Sequence, residues 1–388
     1  MVAWCIDLED DLPPEAFAAA LAGLPGMGPA RLAAVLDATS PVTAWTRARR
    51  GEPWREPAVV AALGPSGSVI VDGWRAAAAA VDVERVWRRL VESGVGVALR
   101  GGAGYPPALA DDVEAPALLF HLGDPGVIEG PRVAVIGTRR CTSTGSGVAF
   151  ELGRDLATEG ISVVSGLASG IDAAAHRGVL AAAAAPPIGV VGSGLDIVYP
   201  PSQAELWNAV IGHGVLLAEA PLGARPERWR FPARNRIIAA LADLVVVVES
   251  HASGGSFHTV DEADRRDIDV LAVPGSVRNV AAAGVNGLLA EGRAPARDVD
   301  DVLVALGLAA GRRSRDRAET RVAPSEADQR VLEAMGWQPA ALDQLALRTG
   351  LLLPELAAAL DRLHTTGWIA QHGGWYERIA ADIPRGLV

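Results

Sequence analysis

The sequence predicts an α/β protein built on a doubly wound parallel sheet, with an N-terminal helical domain before it and a C-terminal winged helix after it. Between Arg132 and about Leu306, short β-branched runs alternate with segments of helical length and periodicity. Apolar strands that alternate with helices indicate a parallel sheet covered on both faces. At 388 residues the chain is long enough for two or three domains.

Six strands are expected in the sheet, because each run is short, apolar and bounded by turn residues. They are Val133–Ile136, Ser162–Ser165, Ile188–Val191, Val215–Ala218, Leu244–Glu249 and Val270–Val273. Ligands of a doubly wound sheet bind at the carboxyl ends of its strands. The loops that follow these strands are therefore where functional residues are expected.

Composition sets the expected domain boundaries. Residues 1–125 form the helical domain, 126–308 the sheet domain, 309–324 an arginine-rich linker and 325–388 the winged helix. Three helices and a glycine-turned pair of strands are typical of a winged helix, here expected at 325–336, 340–350, 353–367, 368–371 and 375–378. The recognition helix carries one arginine against two acids. That composition favours a protein-contact or regulatory role over reading of a DNA major groove.

The N-terminal region contains the segment LPGMGPARL at residues 24–32. Its glycines permit the tight turn of a helix-hairpin-helix, in which the second helix presents backbone amides to a phosphate. A purely structural helical hairpin would use the same glycines, and Arg31 is the one basic residue nearby. Both interpretations stay open on the sequence.

Charge and composition exclude several classes of protein. The net charge is −11, and all 35 basic residues are arginine, so the chain contains no lysine. This excludes a Walker-type phosphate loop, a Schiff-base enzyme and a lysine general base. The two cysteines, Cys5 and Cys141, lie far apart, and no segment has the pattern of a signal peptide or a membrane span. A cytoplasmic protein is expected, with no cofactor and no metal.

The loop after the first strand contains Gly137 and Arg139, followed by a helix start. A glycine at a strand end lets backbone amides face an anion, and Arg139 lies beside them. A dinucleotide site would need the pattern G-x-G-x-x-G here and an acid at the end of the second strand. The spacing does not fit, so a nicotinamide cofactor is not expected.

The second strand leads into a turn that begins with Ser165 and Gly166, whose amides suit a second phosphate. Asp172 and His176 follow, four residues apart on one helix face. They are interpreted either as an acid/base pair or as a helix-start acid with a hydrogen-bonded histidine. The second interpretation is favoured, because no nucleophile or metal ligand is near them in the sequence.

The strongest basic signal follows the fourth strand. Five arginines are interleaved there with Trp229 and Phe231, and Glu227 is the acid among them. The arginines are Arg225, Arg228, Arg230, Arg234 and Arg236. Guanidinium groups interleaved with rings suit single strands, whose phosphates pair with arginine while exposed bases stack on aromatics. A further anion-binding turn after the fifth strand contains Gly255 and Ser256.

Taken together, these motifs resemble the bacterial DNA-processing protein family DprA, also called Smf. The match runs in unbroken order from Arg132 to about Leu303 and rests on six motifs. They are the turn at 137–139, SGLASGIDAAAH at 165–176, GSGLDIVYP at 192–200, FPARNR at 231–236, GSFHT at 255–259 and VPG at 273–275. Each motif is weak alone, but their order and spacing are specific.

The resemblance implies an extended Rossmann-like domain, with an N-terminal helical domain of the SAM or helix-hairpin-helix kind. It also implies a homodimer that binds single-stranded DNA and loads the RecA recombinase during natural transformation. By that analogy the DNA pocket includes Arg139, Phe231, Arg234, Asn235 and Arg236. The chain departs from the family pattern at Ala218, Ala220 and the turn 254–257, which leaves pocket details open.

A rival interpretation is an enzyme. Related Rossmann-like folds include nucleotide N-glycosidases marked by PGGxGTxxE, in which a carboxylate stabilises a developing positive charge on ribose. Gly254, Gly255, Thr259 and Glu262 imitate this motif, with one residue inserted and Ser253 in place of the leading proline. The insertion turns Glu262 by roughly a hundred degrees about its helix axis. A DNA-binding protein without catalysis is therefore favoured.

Overall fold

The structure, a computed structural model, describes residues 12–308 and 321–379. Over these residues, the strands of the main sheet are β1 (Gly96–Leu99), β2 (Leu118–Gly123), β3 (Arg132–Ile136), β4 (Ser162–Ser165), β5 (Ile188–Val191), β6 (Val215–Ala218), β7 (Leu244–Val247), β8 (Val270–Ala272) and β9 (Ala294–Pro295). They lie side by side in the order β1-β2-β6-β5-β4-β3-β7-β8-β9. Seven strands that are adjacent in this order, β6, β5, β4, β3, β7, β8 and β9, are parallel to one another. Strand β2 is antiparallel to both of its neighbours, β1 and β6.

Helices surround the sheet and fill the N-terminal region. The early ones are α1 (Pro14–Ala22), α2 (Pro29–Ala38), α3 (Pro41–Arg50), α4 (Pro57–Leu63), α5 (Gly67–Ala80), α6 (Val83–Glu92) and α7 (Pro107–Ala110). Those between and after the parallel strands are α8 (Ser143–Thr158), α9 (Ile171–Ala182), α10 (Ala204–His213), α11 (Arg230–Leu241), α12 (Phe257–Asp264), α13 (Ala283–Ala290) and α14 (Val299–Ala305). No helix in the described parts of the chain combines the length and apolar character needed to cross a bilayer.

A second, three-stranded sheet belongs to the C-terminal winged helix. Its elements are α15 (Glu326–Met335), β10 (Ala340–Ala341), α16 (Leu342–Thr349), α17 (Leu353–Thr365), β11 (Ile369–His372) and β12 (Trp375–Arg378). These elements share a small core of their own, formed mainly by leucines of the three helices. The predicted three helices and strand pair are confirmed, and the two-residue strand β10 was not foreseen.

Both faces of the main sheet are covered, as a doubly wound sheet requires. Successive residues of β3 point to opposite faces: Val133 and Val135 pack with α8 and α9, whereas Ala134 and Ile136 pack with α11 and α12. The strand order reverses at β3, since β4 to β6 lie on one side of it and β7 to β9 on the other. The crossover helices change face at this position, which opens a crevice between the loops that follow β3 and β7.

The predicted strands agree closely with the structure. β4, β5 and β6 have the predicted bounds, and the strands expected to end at Glu249 and Val273 end two residues and one residue earlier. The difference lies in β1 and β2, which are in the region expected to be helical. β1 pairs with β2, and β2 joins the sheet by antiparallel pairing with β6, nearly a hundred residues along the chain; local pattern does not reveal such pairing. The sheet thus begins before residue 126, and the domain boundaries stay predictions.

The glycine-rich turn at residues 24–32 packs its apolar side chains into the interior, while Gly26 is exposed. Met27 and Leu32 are buried in a core that also contains Leu167 and Val191 of the sheet domain. Arg31 donates hydrogen bonds to the carbonyl oxygens of Gly26, at 2.6 Å, and Ala62, at 3.0 Å. The one basic side chain of the turn is therefore engaged within the protein, which favours the structural interpretation over a phosphate-binding hairpin.

His176 lies on α9 in the interior of the protein. Its side chain is fully buried, and its Nε2 lies 3.3 Å from the carbonyl oxygen of Ile188 on β5. Burial disfavours the charged imidazolium and lowers the pKa of His176 to about 4. The histidine is therefore neutral at neutral pH, where it contributes nothing to the pH dependence of folding.

Acidification should destabilise the fold through His176. Its pKa in the folded state is about 4, against an ordinary value of 6.5, so the unfolded chain takes up the proton first as the pH falls. Proton uptake by the unfolded chain should therefore lower the free energy of unfolding by roughly 3 kcal/mol between pH 6.5 and 4. Urea denaturation of wild type and His176→Gln across this range checks it. Parallel pH profiles for the two proteins would contradict the assignment.

Candidate nucleic-acid interface

Two adjoining cavities open at the carboxyl ends of the parallel strands, where the fold predicts a ligand site. The larger has a volume of about 540 Å³ and the smaller about 290 Å³. We call the two together the groove. Five residues line both cavities: Arg139, Ala168, Tyr199, Phe231 and Arg234. The groove thus joins the loops after β3, β4 and β5 to the start of α11.

The loop after β3 supplies the first wall. Gly137, Thr138 and Arg139 line the larger cavity, and the Thr138 amide donates to the carbonyl oxygen of Glu249, at 2.7 Å. This bond ties the loop after β3 to the end of β7 across the crevice. The exposed guanidinium of Arg139 lies over the ring of Phe231, with 4.9 Å between its Cζ and the ring centroid. Arg139 therefore occupies the position predicted for it.

Aromatic side chains form the partition between the two cavities. The rings of Tyr199 and Phe231 have centroids 5.6 Å apart and are tilted by 37°. Phe231 was predicted as a site residue, whereas Tyr199 entered the sequence analysis only as part of the motif at 192–200. An exposed tyrosine beside prolines at a strand-end loop is the signal that would have identified it. Trp229, two residues before Phe231 in the chain, is 47% exposed, and the guanidinium of Arg230 is stacked on its ring.

Arg234 is a buried cation at the back of both cavities. Its Nη1 donates to the carbonyl oxygen of Val190 on β5, at 2.9 Å, and its guanidinium lies directly over Gly166. A side chain at position 166 would occupy the space of the guanidinium, so glycine is required there. Burial lowers the pKa of Arg234 to about 10, which still leaves it charged at neutral pH.

Asp172 is the countercharge of Arg234. Its Oδ2 accepts a hydrogen bond from the amide of Gly166, at 3.2 Å, and the side chain is buried. Burial raises the pKa of Asp172, and the positive charge of Arg234 opposes that rise. His176, four residues on, turns into the core rather than to Asp172. The structural interpretation of this pair is therefore supported over an acid/base pair.

The loop after β7 closes the other side of the larger cavity. Gly255 and Ser256 line it together with Asn235 from α11, whose amide donates to the carbonyl oxygen of Gly255, at 3.5 Å. Ser256 Oγ and Ser250 Oγ lie 2.7 Å apart. These three predicted site residues are brought together from one loop and helix α11.

Two predicted site residues lie behind the groove instead of in it. Ser165 is fully buried and donates to the carbonyl oxygen of Val135, at 2.6 Å. Arg236 Nη2 donates to both carboxylate oxygens of Glu219, at 2.6 Å each. Neither lines the groove, because Arg236 points from α11 toward Glu219 at the end of β6 while Arg234 points toward the strand ends. The structure corrects their expected place at the pocket surface.

The electrostatics of the groove are positive. Arg139, Arg140 and Arg228 line it, and none has an ion-pair partner among residues 12–308 and 321–379. Asp172 is the acidic residue in the lining, and it faces Arg234. Glu262, the carboxylate of the enzyme interpretation, is outside the lining. Its Oε1 and Oε2 are held by Arg265 and Arg266, at 2.7 and 2.6 Å.

The fold and groove define a Rossmann-like protein with an arginine-lined groove at its strand ends and a winged helix. Residues 97–307 match the model of the family DNA recombination-mediator protein A, and residues 313–374 match that of the DprA winged helix domain. The chain belongs to the DNA recombination-mediator protein A family. The resemblance inferred from its motifs is confirmed.

Relatives and solved structures agree with this assignment. A putative DNA processing protein DprA of Mycobacterium tuberculosis is 39% identical over 259 residues, which covers 65% of this chain and 66% of the relative. The X-ray structure of DprA from Streptococcus pneumoniae superposes with a TM-score of 0.62 at 28% identity, covering 75% of this chain and 96% of that one. A Helicobacter pylori DprA structure, described for its single-stranded DNA binding mode, has a TM-score of 0.50 at 27% identity and covers 55% and 95%.

The ion pair behind the groove should matter for stability. Arg236 and Glu219 have side chains only 12% and 11% exposed, so Arg236→Ala would leave a buried carboxylate without its partner. We expect the unfolding free energy to fall by about 3 kcal/mol. Arg139→Ala removes an exposed guanidinium and should change it by less than about 0.5 kcal/mol. Urea denaturation measures both, and equal stability of the two variants would contradict this distinction.

Proposed function

We propose that this protein binds single-stranded DNA in the groove, without altering it chemically, and protects strands for recombination. The observation that carries the proposal is the set of unpaired guanidiniums, Arg139, Arg140 and Arg228, around the tilted rings of Tyr199 and Phe231. In such a site the guanidinium groups pair with the phosphates of the strand, and its exposed bases stack on the aromatic rings. Bases can reach such rings only when they are not stacked within a duplex.

Buried polar atoms in the groove support an anionic ligand. Arg234 lines both cavities, and its Nε has no hydrogen-bond partner within the described residues. A buried donor without a partner is costly, so an acceptor such as a phosphate oxygen would satisfy it. The positive charge of this side chain at neutral pH acts in the same direction.

The winged helix offers little for reading duplex DNA. Arg362, the arginine of α17, pairs with Asp328, with Nη2 to Oδ1 at 2.6 Å. Exposed acids such as Glu355 and Asp361 lie on the same helix. A helix that exposes acids, and whose arginine is already bound to an aspartate, is poorly suited to bind the major groove of DNA. We assign this domain a protein-contact or regulatory role.

The proposal also covers the oligomeric state, the cellular location and a protein partner. We propose that the protein acts as a homodimer in the cytoplasm and loads the RecA recombinase onto incoming strands during natural transformation. Family membership supports this, and the single-stranded DNA binding mode described for the Helicobacter pylori relative supports the DNA ligand. The measurement for loading is RecA-driven strand exchange on DNA coated with single-strand-binding protein, with and without this protein.

Binding should favour single strands. We expect lower dissociation constants for single-stranded than for duplex oligonucleotides of equal length, with little sequence preference, and a steep loss of affinity as salt rises. Arg139→Ala should weaken binding about tenfold with unchanged thermal stability, and Arg139→Lys should recover only part because the forked geometry is lost. Fluorescence anisotropy measures all three proteins.

A matched control for Arg139 is Arg330→Ala, which removes an exposed arginine from α15 in the winged helix. It should leave the affinity close to that of wild type. Tighter binding of duplex than of single strands would overturn the proposal. An Arg139→Ala variant with wild-type affinity would remove this residue from the binding surface.

The enzyme alternative makes an opposite prediction at Glu262. Because its carboxylate is held by Arg265 and Arg266 outside the groove, Glu262→Gln should leave DNA affinity unchanged and cost about 1 kcal/mol of stability. Wild-type protein incubated with nucleoside monophosphates should release no free base, as followed by chromatography. Steady base release that is lost in Glu262→Gln would make the protein a hydrolase.

A further inference from the structure

One carboxylate, that of Asp196, joins three separate segments of the chain beside the groove. Its Oδ1 accepts a hydrogen bond from the backbone amide of Gly223, at 2.8 Å. Its Oδ2 accepts from Nη2 of Arg89 on α6, at 2.6 Å. The Asp196 side chain is 23% exposed and that of Arg89 is 60% exposed, so this junction lies at the protein surface. The N-terminal helices, the loop after β5 and the loop after β6 therefore meet at one side chain.

Both loops held by Asp196 lead directly into the groove. Tyr199, three residues further on, lines both cavities and contacts Phe231. Gly223 begins the segment that carries Arg228, which lines the larger cavity. A shift of either loop would move an aromatic ring or a guanidinium relative to the other walls.

Backbone bonds show that the two loops form one unit. The Gly194 amide donates to the carbonyl oxygen of Ala224, at 2.9 Å, and the Ile197 amide donates to that of Gly194, at 2.9 Å. The turn at Gly223 has a φ of +83°, which glycine adopts without strain. The Asp196 carboxylate fixes the amide of this left-handed residue, and so fixes the direction in which the chain leaves the turn.

We propose that Asp196 is a positioning residue of the groove: through Gly223 and Arg89 it holds Tyr199 and Arg228 where a single strand can contact them. This inference rests on the proposed function. It assigns the N-terminal helices a part in DNA binding that is indirect, through support of the groove, since the one arginine of their glycine-rich turn is bound to backbone carbonyl oxygens.

The direction in which DNA affinity changes in Asp196 variants distinguishes a positioning role from a purely electrostatic one. Asp196 is an acid close to a surface that binds a polyanion, so its charge alone weakens DNA binding. If charge were its only influence, Asp196→Ala and Asp196→Asn would both bind DNA more tightly than wild type. A positioning role predicts the opposite for the alanine variant, because the two loops lose their common anchor.

The test compares four variants by anisotropy with a labelled single-stranded oligonucleotide across a salt series. We expect Asp196→Ala to bind about tenfold more weakly, with a shallower salt dependence because fewer phosphates are contacted. Asp196→Asn keeps an acceptor for Gly223 but loses the ion pair with Arg89, and Arg89→Ala loses the same ion pair; each should weaken binding about threefold, less than Asp196→Ala does. Asp261→Asn removes an exposed acid from α12 without a side-chain partner among the described residues, and should bind as tightly as wild type or slightly more tightly.

Two results would overturn the inference: wild-type or tighter binding by Asp196→Ala, or an unchanged salt dependence in that variant. Equal losses in Asp196→Ala, Asp196→Asn and Arg89→Ala support it and assign the positioning to the ion pair. Should Asp196→Ala fail to fold, Gly223→Ala strains the same turn from the other side and should weaken binding about fivefold. Unchanged binding there would also overturn it. Wild type without preference for single strands would instead refute the proposed function.

Discussion

The buried guanidinium of Arg234 is the interaction around which the groove is organised. It reaches from the second turn of α11 to the carbonyl oxygen of Val190 on β5 and covers Gly166 at the end of β4. A charge in this position needs a countercharge, and Asp172 supplies it from the start of α9. The helix after β6, the strand β5 and the turn after β4 are thus held by one side chain. The shape of both cavities follows from that arrangement.

The distribution of arginines explains how a chain of net charge −11 presents a positive groove. Away from the groove, several arginines are paired with acids, for example Arg266 with Asp112, at 2.6 Å, and Arg293 with Asp264, at 2.6 Å. Around the groove, Arg139 and Arg228 have no such partner in the described parts of the chain. Local pairing therefore decides where an anion is attracted, and total charge does not. Since the chain has no lysine, every one of these contacts has the forked geometry that suits a phosphate.

The N-terminal helices and the sheet act as one unit beneath the groove. They share a continuous core in which Met27 and Leu32 pack beside Leu167 and Val191. Ion pairing of Arg89 with Asp196 extends that contact to the loop after β5. Rigid elements on both sides of a loop reduce its freedom, which limits the entropy lost when a ligand binds. The helical region is thereby connected to the groove.

The sequence by itself determined the strands β3 to β8, the strand-end loops that form the site, and the family. These depend on local pattern: apolar runs of strand length, turn glycines and ordered motifs are visible in consecutive residues. Only the tertiary structure decided which arginines face the ligand. Arg234 and Arg236 are two residues apart, yet one lines the groove and the other is bound to Glu219. It also placed Tyr199 against Phe231, and β1 and β2 in the sheet. The physical reason is that a side chain's partners come from distant segments, which no local pattern specifies.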